Sequence, residues 1–219
     1  MFGRSFLAIA LVSVACAEPA VPDRWIEPQT GMVFVRIPPV QGRAPFWLGA
    51  YEVTQAQWEQ VMDRDNPAWF HDESGRLPME NVNLFEVRRF IERMNARAPG
   101  SGFRLPTESE WEWACHASTA MDYATGATLT PADANIAPSP ERAAEGGTVA
   151  VGSYAANAWG LFDMHGNVWE WTSDVAGDLQ IIRGGSWYFG ADSARCGLRY
   201  THRPQDRGFS VGFRLARGG

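Results

Sequence analysis

An α+β fold is what this sequence predicts, and three observations carry the prediction. Three segments open on Thr or Asn with Gln or Glu three positions on: Thr54 with Gln57, Asn83 with Glu86, and Thr107 with Glu110. That spacing is the capping box of a helix N-terminus. Short apolar, β-branched runs are scattered between the helices, with no internal repeat. Residues 157–187 then interleave four tryptophans with five glycines. Large aromatics among glycines mean tight turns over a dense aromatic core rather than a regular helix.

Arg4 followed by the apolar run 6–15 reads as an export signal over residues 1–17, too short to span a bilayer. Two endings compete. Ala15-Cys16-Ala17 fits a small-x-small cleavage site, and Ser13-Val14-Ala15-Cys16 fits a loose lipobox with Cys16 lipidated. The expected location is the bacterial periplasm, or the cell envelope through a lipid anchor at Cys16. Residues 18–30 are polar and proline-containing, a linker, and residues 31–217 form one domain. Strands are expected over 32–37 and 46–53. The first helix should bury Trp58, Val61 and Met62. The second places Val87, Phe90, Ile91 and Met94 on one face and stops at Ala98-Pro99-Gly100. The third turns Trp111, Ala114 and Cys115 inward. Residues 121–147 read as irregular, 149–154 as extended, and 183–187 and 212–215 as late strands.

The formal charge of −6 argues against nucleic acid as a main partner. Every one of the nineteen basic residues is arginine, which excludes Schiff-base and P-loop lysine chemistry in this chain. Cys115 and Cys196 leave two readings open, a disulfide in an oxidising compartment or two buried free thiols. His71, His116, His165 and His202 show no ligand spacing. His165, in a central turn, is read as a structural hydrogen-bonding group, with a catalytic base as the rival.

Asn157-Ala158-Trp159-Gly160-Leu161-Phe162-Asp163-Met164-His165-Gly166-Asn167-Val168-Trp169-Glu170-Trp171, followed by Arg183-Gly184-Gly185-Ser186-Trp187, resembles the formylglycine-generating enzyme (sulfatase-modifying factor) family. Gly49-Ala50-Tyr51-Glu52-Val53-Thr54, Arg104-Leu105-Pro106-Thr107-Glu108-Ser109-Glu110-Trp111-Glu112 and Gly212-Phe213-Arg214-Leu215 agree with it in order. The resemblance implies an irregular C-type-lectin-like fold. Its oxidases convert a sulfatase cysteine to formylglycine through a Cu(I)-binding cysteine pair, a donor set that suits a soft ion. Here Phe189 stands in place of the first cysteine, and residues 191–193 supply no second. Copper is therefore not expected, and Cys196 is the one remaining thiol candidate for catalysis. By the resemblance, Cys196 and Cys115 each fall on disulfide positions, Cys115 on one whose partner here is Leu215.

The resemblance also implies calcium at Asn167, Val168 and Glu170, oxygen donors of the kind a hard cation takes. The bland alternative has Asn167 capping a turn and Glu170 paired with a buried Arg183 or Arg214. A second family calcium site begins at Asn135-Ile136, but its loop retains only Glu145. Arg195 and Arg199 match a family pair that braces the core. The segment 187–209 corresponds to the substrate groove of the enzymes and the variable face of the lectin-like relatives. Tyr188, Asp192, Tyr200, His202, Arg203, Asp206 and Arg207 are its candidate ligand-binding residues, tyrosine and arginine being frequent anchors of binding surfaces. The expected partner is a protein, peptide or glycan. Three functions follow: an exported accessory or diverged member without the copper pair, an active formylglycine-generating oxidase, or a lectin-like receptor.

Overall fold

The computed structural model describes residues 23–39, 44–63 and 65–218. The expected export signal and Cys16 lie outside the described residues. All three capping boxes form. In α1 (Gln55–Val61), Gln57 N–H donates to Thr54 Oγ1 and Thr54 N–H donates to Gln57 Oε1. The same reciprocal pair opens α2 (Leu84–Arg97) at Asn83 and Glu86, and α3 (Glu108–His116) at Thr107 and Glu110. Each box satisfies N–H groups that a helix start leaves without partners.

One antiparallel sheet has the order β1 (Arg24–Ile26), β2 (Val33–Ile37), β3 (Phe46–Gly49), β9 (Ala216–Gly218), β4 (Phe103–Arg104). A second runs β7 (Tyr200–His202), β6 (Leu179–Arg183), β5 (Trp169–Ala176), β8 (Val211–Gly212), with β5 and β8 parallel. The alternation of β2 divides the core. Phe34 joins the cluster of α1, α2 and the second sheet, where Trp58 stacks on Phe90 at 5.2 Å and Phe213 meets both rings edge-on. Val35 and Ile37 face the opposite cluster, with Trp111 and Cys115 of α3 and with Leu161 and Met164.

Several expectations change. Residues 18–30 are not wholly a linker, because β1 pairs with β2 there. Trp25 packs on Phe34 and Phe103, Arg217 lies over its ring at 4.4 Å, and buried Glu27 accepts the Gln29 and Thr30 N–H groups that close the turn into β2. The strand expected over 46–53 ends at Gly49. Residues 149–154 form a turn instead of a strand, since Gly152 N–H is drawn to Asp163 Oδ2 at 2.6 Å. The strand expected over 183–187 ends at Arg183, where the chain enters the left-handed region at Gly184 and Gly185. Residues 121–147 are irregular except for the 3-10 helix Pro140–Glu145. The hairpin β5–β6, within the stretch expected to be turns, was not anticipated.

The central turns are built on close backbone approach. Gly166 has φ +80°, and a Cβ there would lie 2.2 Å from Asn135 O. Gly166→Ala is expected to lower stability by roughly 2–4 kcal/mol, combining backbone strain with overpacking. Urea unfolding checks this; a midpoint unchanged from the parent would mean the turn yields freely.

Candidate functional site

Arg214 occupies the centre of the molecule, fully buried. Its Nε and Nη2 donate to Glu170 Oε2 and Oε1, both at 2.7 Å. Nη1 donates to Gly49 O at 3.1 Å and Nη2 to Phe162 O at 2.9 Å. Trp111 Nε1–H adds a third donor to Glu170, at 2.7 Å. Glu52 and Asp163 complete an acidic surround. Glu52 Oε2 accepts from Asn167 Nδ2 at 2.7 Å and Glu52 Oε1 from Val168 N–H at 3.2 Å.

Burial, with the charges of Asp163 and Glu170 adding to it, raises the Glu52 pKa well above the usual carboxylate range. Burial likewise pushes Asp163 up to about 6, against the Gly152 hydrogen bond and Arg214. Burial opposes the Arg214 charge, but Glu170, Glu52 and Asp163 outweigh it and hold its pKa up.

This arrangement does not fit calcium at Asn167, Val168 and Glu170. Glu170 already accepts three N–H bonds, two of them from a guanidinium, which puts a full positive charge where an ion would approach. Asn167 Oδ1 accepts from Asn135 Nδ2 at 3.0 Å and from Val149 N–H at 3.1 Å. Asn167, with φ 53°, shapes the turn, and the partner of Glu170 is Arg214 rather than Arg183. Glu145 of the second expected site pairs with Arg142 at the surface. Arg195 and Arg199 are half-exposed, bound to Asp192, Asp122 and Glu108. Among the described residues the buried arginines are Arg183, beside Glu112 and Trp111, and Arg214.

Cys115 and Cys196 form a disulfide, so Cys196 is no free nucleophile. Phe189 offers no donor, and the residues do not fit a bis-thiolate copper ion. His165 lies beside the disulfide with both nitrogens engaged. Nδ1–H donates to Ala194 O at 2.7 Å, and Nε2 accepts from Ala124 N–H at 2.9 Å, which makes the ring the neutral tautomer. Burial also lowers its pKa. His165 and Asp163 line a cleft of about 180 Å³ with Tyr154, Ala124 and Met164.

The predicted ligand-binding residues separate into two groups. Tyr188 and Tyr200 belong to one run of rings. Tyr200 stacks on Trp169 at 5.6 Å, Trp169 meets Phe189 at 6.1 Å, and Phe189 meets Tyr188 at 5.5 Å. Tyr188 meets Phe209 at 5.7 Å, Phe209 meets Trp187 at 5.7 Å, and Phe70 abuts Trp187 at 5.2 Å. Tyr200 is 59% exposed, and Tyr188, Phe189 and Phe209 also reach solvent. The second group is polar and less concerted. Arg207 pairs with Glu86 at the start of α2, Asp192 with Arg195, and Arg203 and Asp206 lie on an exposed turn. His202 packs on Trp171 at 5.3 Å, and burial lowers its pKa.

The sequence does not mark Glu52, Asp163 or Glu80 as site residues. Glu52 and Asp163 lie inside quoted motifs, but nothing in their spacing marks them as neighbours of Arg214. Glu80 is fully buried; Oε1 accepts Trp69 N–H at 2.6 Å and Phe70 N–H at 2.9 Å, while Oε2 has no partner. Burial outweighs those two bonds and raises its pKa to about 7.

The α+β architecture and its irregular loops define a formylglycine-generating-enzyme-like, C-type-lectin-like fold. The model of the sulfatase-modifying factor enzyme 1-like domain matches residues 36–218, and the chain belongs to that family. It is 35% identical over 210 residues to serine/threonine-protein kinase pkn1 of Chlamydia caviae, covering 79% of this chain and 33% of that protein. It is 34% identical over 169 residues to hercynine oxygenase of Mycolicibacterium thermoresistibile, covering 64% of this chain and 35% of that protein. It is 34% identical over 190 residues to inactive C-alpha-formylglycine-generating enzyme 2 of Bos taurus, covering 79% and 59%. The chain thus spans about a third of the length of the first two relatives. Among solved structures, PvdO from Pseudomonas aeruginosa superposes with TM-score 0.77 at 23% identity, over 93% of this chain and all of that one. Treponema denticola variable protein 1 gives 0.75 at 24%, over 91% and 99%.

Two predictions follow from the buried charges. Arg214→Met leaves Glu170 buried and unpaired and is expected to cost roughly 3–5 kcal/mol in denaturant unfolding; Glu170→Gln should cost less, because Glu52 and Asp163 still face Arg214. Glu80 and Asp163 have folded pKa values above their unfolded ones, so the native state binds more protons between about pH 4 and pH 7. Stability should therefore fall as pH rises through that window. Glu80→Gln should remove up to about 3 kcal/mol of the fall; a slope unchanged by the substitution would assign the effect elsewhere.

Proposed function

We propose that this protein is a binding member of the sulfatase-modifying factor family that works without bis-thiolate copper. Its ligand is a protein, peptide or glycan segment received by the aromatic face between Trp187 and Phe209. The single observation that carries this reading is the run of rings from Tyr200 to Trp187, with Phe189 at its middle. Aromatic side chains present large, rigid contact area at low entropic cost, and here Tyr188, Phe189, Tyr200 and Phe209 are exposed over the buried Trp169 and Trp187. The family's first copper ligand would stand at Phe189, so the position that carries chemistry in the oxidases here carries a surface. The bovine relative is named an inactive form. In this reading the chain is exported through residues 1–17 and acts in the periplasm or anchored at Cys16.

A diverged enzyme is the second reading, and Glu80 favours it. A buried carboxyl with one unpartnered oxygen and a pKa of about 7 is the kind of group that proton transfer uses. It sits behind Phe70, whose ring abuts Trp187 of the aromatic face.

The deciding assay incubates the Cu(I)-treated protein with a Cys-x-Pro-x-Arg sulfatase peptide under oxygen and follows the peptide by mass spectrometry. No aldehyde is expected. Conversion that disappears in Cys196→Ser would overturn the reading and establish an oxidase. In parallel, glycan and peptide arrays should show selective binding that weakens at least tenfold in Tyr200→Ala.

A further inference from the structure

The surroundings of the Cys115–Cys196 disulfide carry a second chemistry. Cys115 lies on the last turn of α3, and Cys196 follows the short 3-10 helix Ala191–Ala194. His165, from the central motif, is placed against them. Cys115 Sγ is 4.0 Å from each nitrogen of the ring, and one ligand atom from each of the three residues lies within 4.8 Å of the other two. All three residues are buried.

The imidazole already has the tautomer of a metal-binding histidine. Its Nδ1–H is committed to a backbone carbonyl, Ala194 O at 2.7 Å, which fixes the neutral tautomer and leaves the Nε2 lone pair as the available donor. Only the Ala124 N–H, at 2.9 Å, occupies that lone pair. Ala124, Met164 and His165 also line the cleft of about 180 Å³, so an ion has a path to the ring and the displaced amide has water to bond.

We propose that the reduced form of this cluster is a zinc site, with the thiolates of Cys115 and Cys196 and Nε2 of His165 as ligands and a water from the cleft as the fourth. Tetrahedral zinc with bonds of about 2.3 Å to sulfur and about 2.0 Å to nitrogen needs sulfur and nitrogen about 3.5 Å apart. Cys115 Sγ is 4.0 Å from both ring nitrogens and so lies off the axis of the Nε2 lone pair; binding needs the ring to turn Nε2 toward the sulfurs, giving up the Ala124 bond, as well as the parting of the sulfurs once their bond is gone. A phosphine reductant supplies the two electrons that break the S–S bond and becomes a phosphine oxide with oxygen from water. The sulfurs take up two protons, and these leave as the thiols bind Zn²⁺. The ion then replaces the disulfide as the tie between α3 and the segment behind the aromatic face. This site is separate from the aromatic face, and its test is independent of any ligand bound there.

The experiment uses the full chain carrying Cys16→Ser, so that the only remaining thiols are those of Cys115 and Cys196. The protein is reduced with a phosphine without oxygen, given Zn²⁺, desalted and analysed for metal. One zinc per chain is expected after reduction and none in the disulfide form. X-ray absorption at the zinc edge should show two sulfurs and an imidazole; Co²⁺ in place of zinc should give a thiolate charge-transfer band in the near ultraviolet. His165→Gln should weaken binding at least tenfold, with near-ultraviolet circular dichroism checking that the variant folds. Absence of retained zinc in the reduced parent protein would overturn the proposal, as would a coordination shell of oxygen and nitrogen alone.

Discussion

The buried pair of Arg214 and Glu170 is the contact on which the rest of the structure depends. Arg214 lies between β8 and β9, and Glu170 is on β5 of the second sheet. The same guanidinium holds Gly49 O at the end of β3 and Phe162 O in the central turns. One planar side chain therefore joins both sheets and the irregular loops between them, using the fork of donors that only arginine has. Such a pair is weak evidence for net stability, because stripping water from two charges costs about what their attraction returns. Its value is in registry. Each carbonyl it binds would be an unpaired buried acceptor if the loops sat elsewhere.

The acidic surround follows from the same constraint. One guanidinium faces three carboxyl groups, Glu170, Glu52 and Asp163, and it cannot compensate all three in a dry interior. Glu170 takes the bidentate geometry; Glu52 and Asp163 respond by holding protons to higher pH. Glu52 is turned to other work, bonding Asn167 and Val168 and so locking the left-handed turn at Asn167. The oxygens that suggest a cation site in one dimension are, in three, the acceptors of a protein-borne cation and its neighbours.

That contrast shows what was legible in the sequence and why. Helix starts were, because a capping box is a local device whose partners lie three residues apart: Thr54, Asn83 and Thr107 each did what the spacing required. The family and its lectin-like architecture were legible in Trp169-Glu170-Trp171 and Gly212-Phe213-Arg214, which are the framework around Arg214. β1 was not, because the groups that cover its one inward ring are remote: Arg217 lies over Trp25 and Phe103 stacks beside it. The turn at 149–154 has the sequence of a strand, and its organising acceptor, Asp163, lies eleven residues beyond Gly152. Glu80 left no sequence signal, since its burial depends on how residues 66–78 fold over it. Long-range partners decide these elements, and periodicity does not report them.

The aromatic face then takes its meaning from what lies beneath it. Trp169 and Trp187 are buried rings with exposed neighbours, Tyr200 on one and Tyr188 and Phe209 on the other. Trp187 N–H is bonded to Asn167 O at 2.9 Å, so the face is anchored directly to the turn that Glu52 and Asn135 hold. Behind its other end, the Cys115–Cys196 bond ties the segment after Tyr188 to α3. Exposed rings on a mobile loop would gain little from binding, because ordering them would cost what the contact returns. Rings fixed to a framework by a disulfide and a buried polar network are ordered before any ligand arrives. In this family scaffold the segment after Ser186 is held by the framework beneath it, and its exposed rings are fixed by contacts that depend on no ligand.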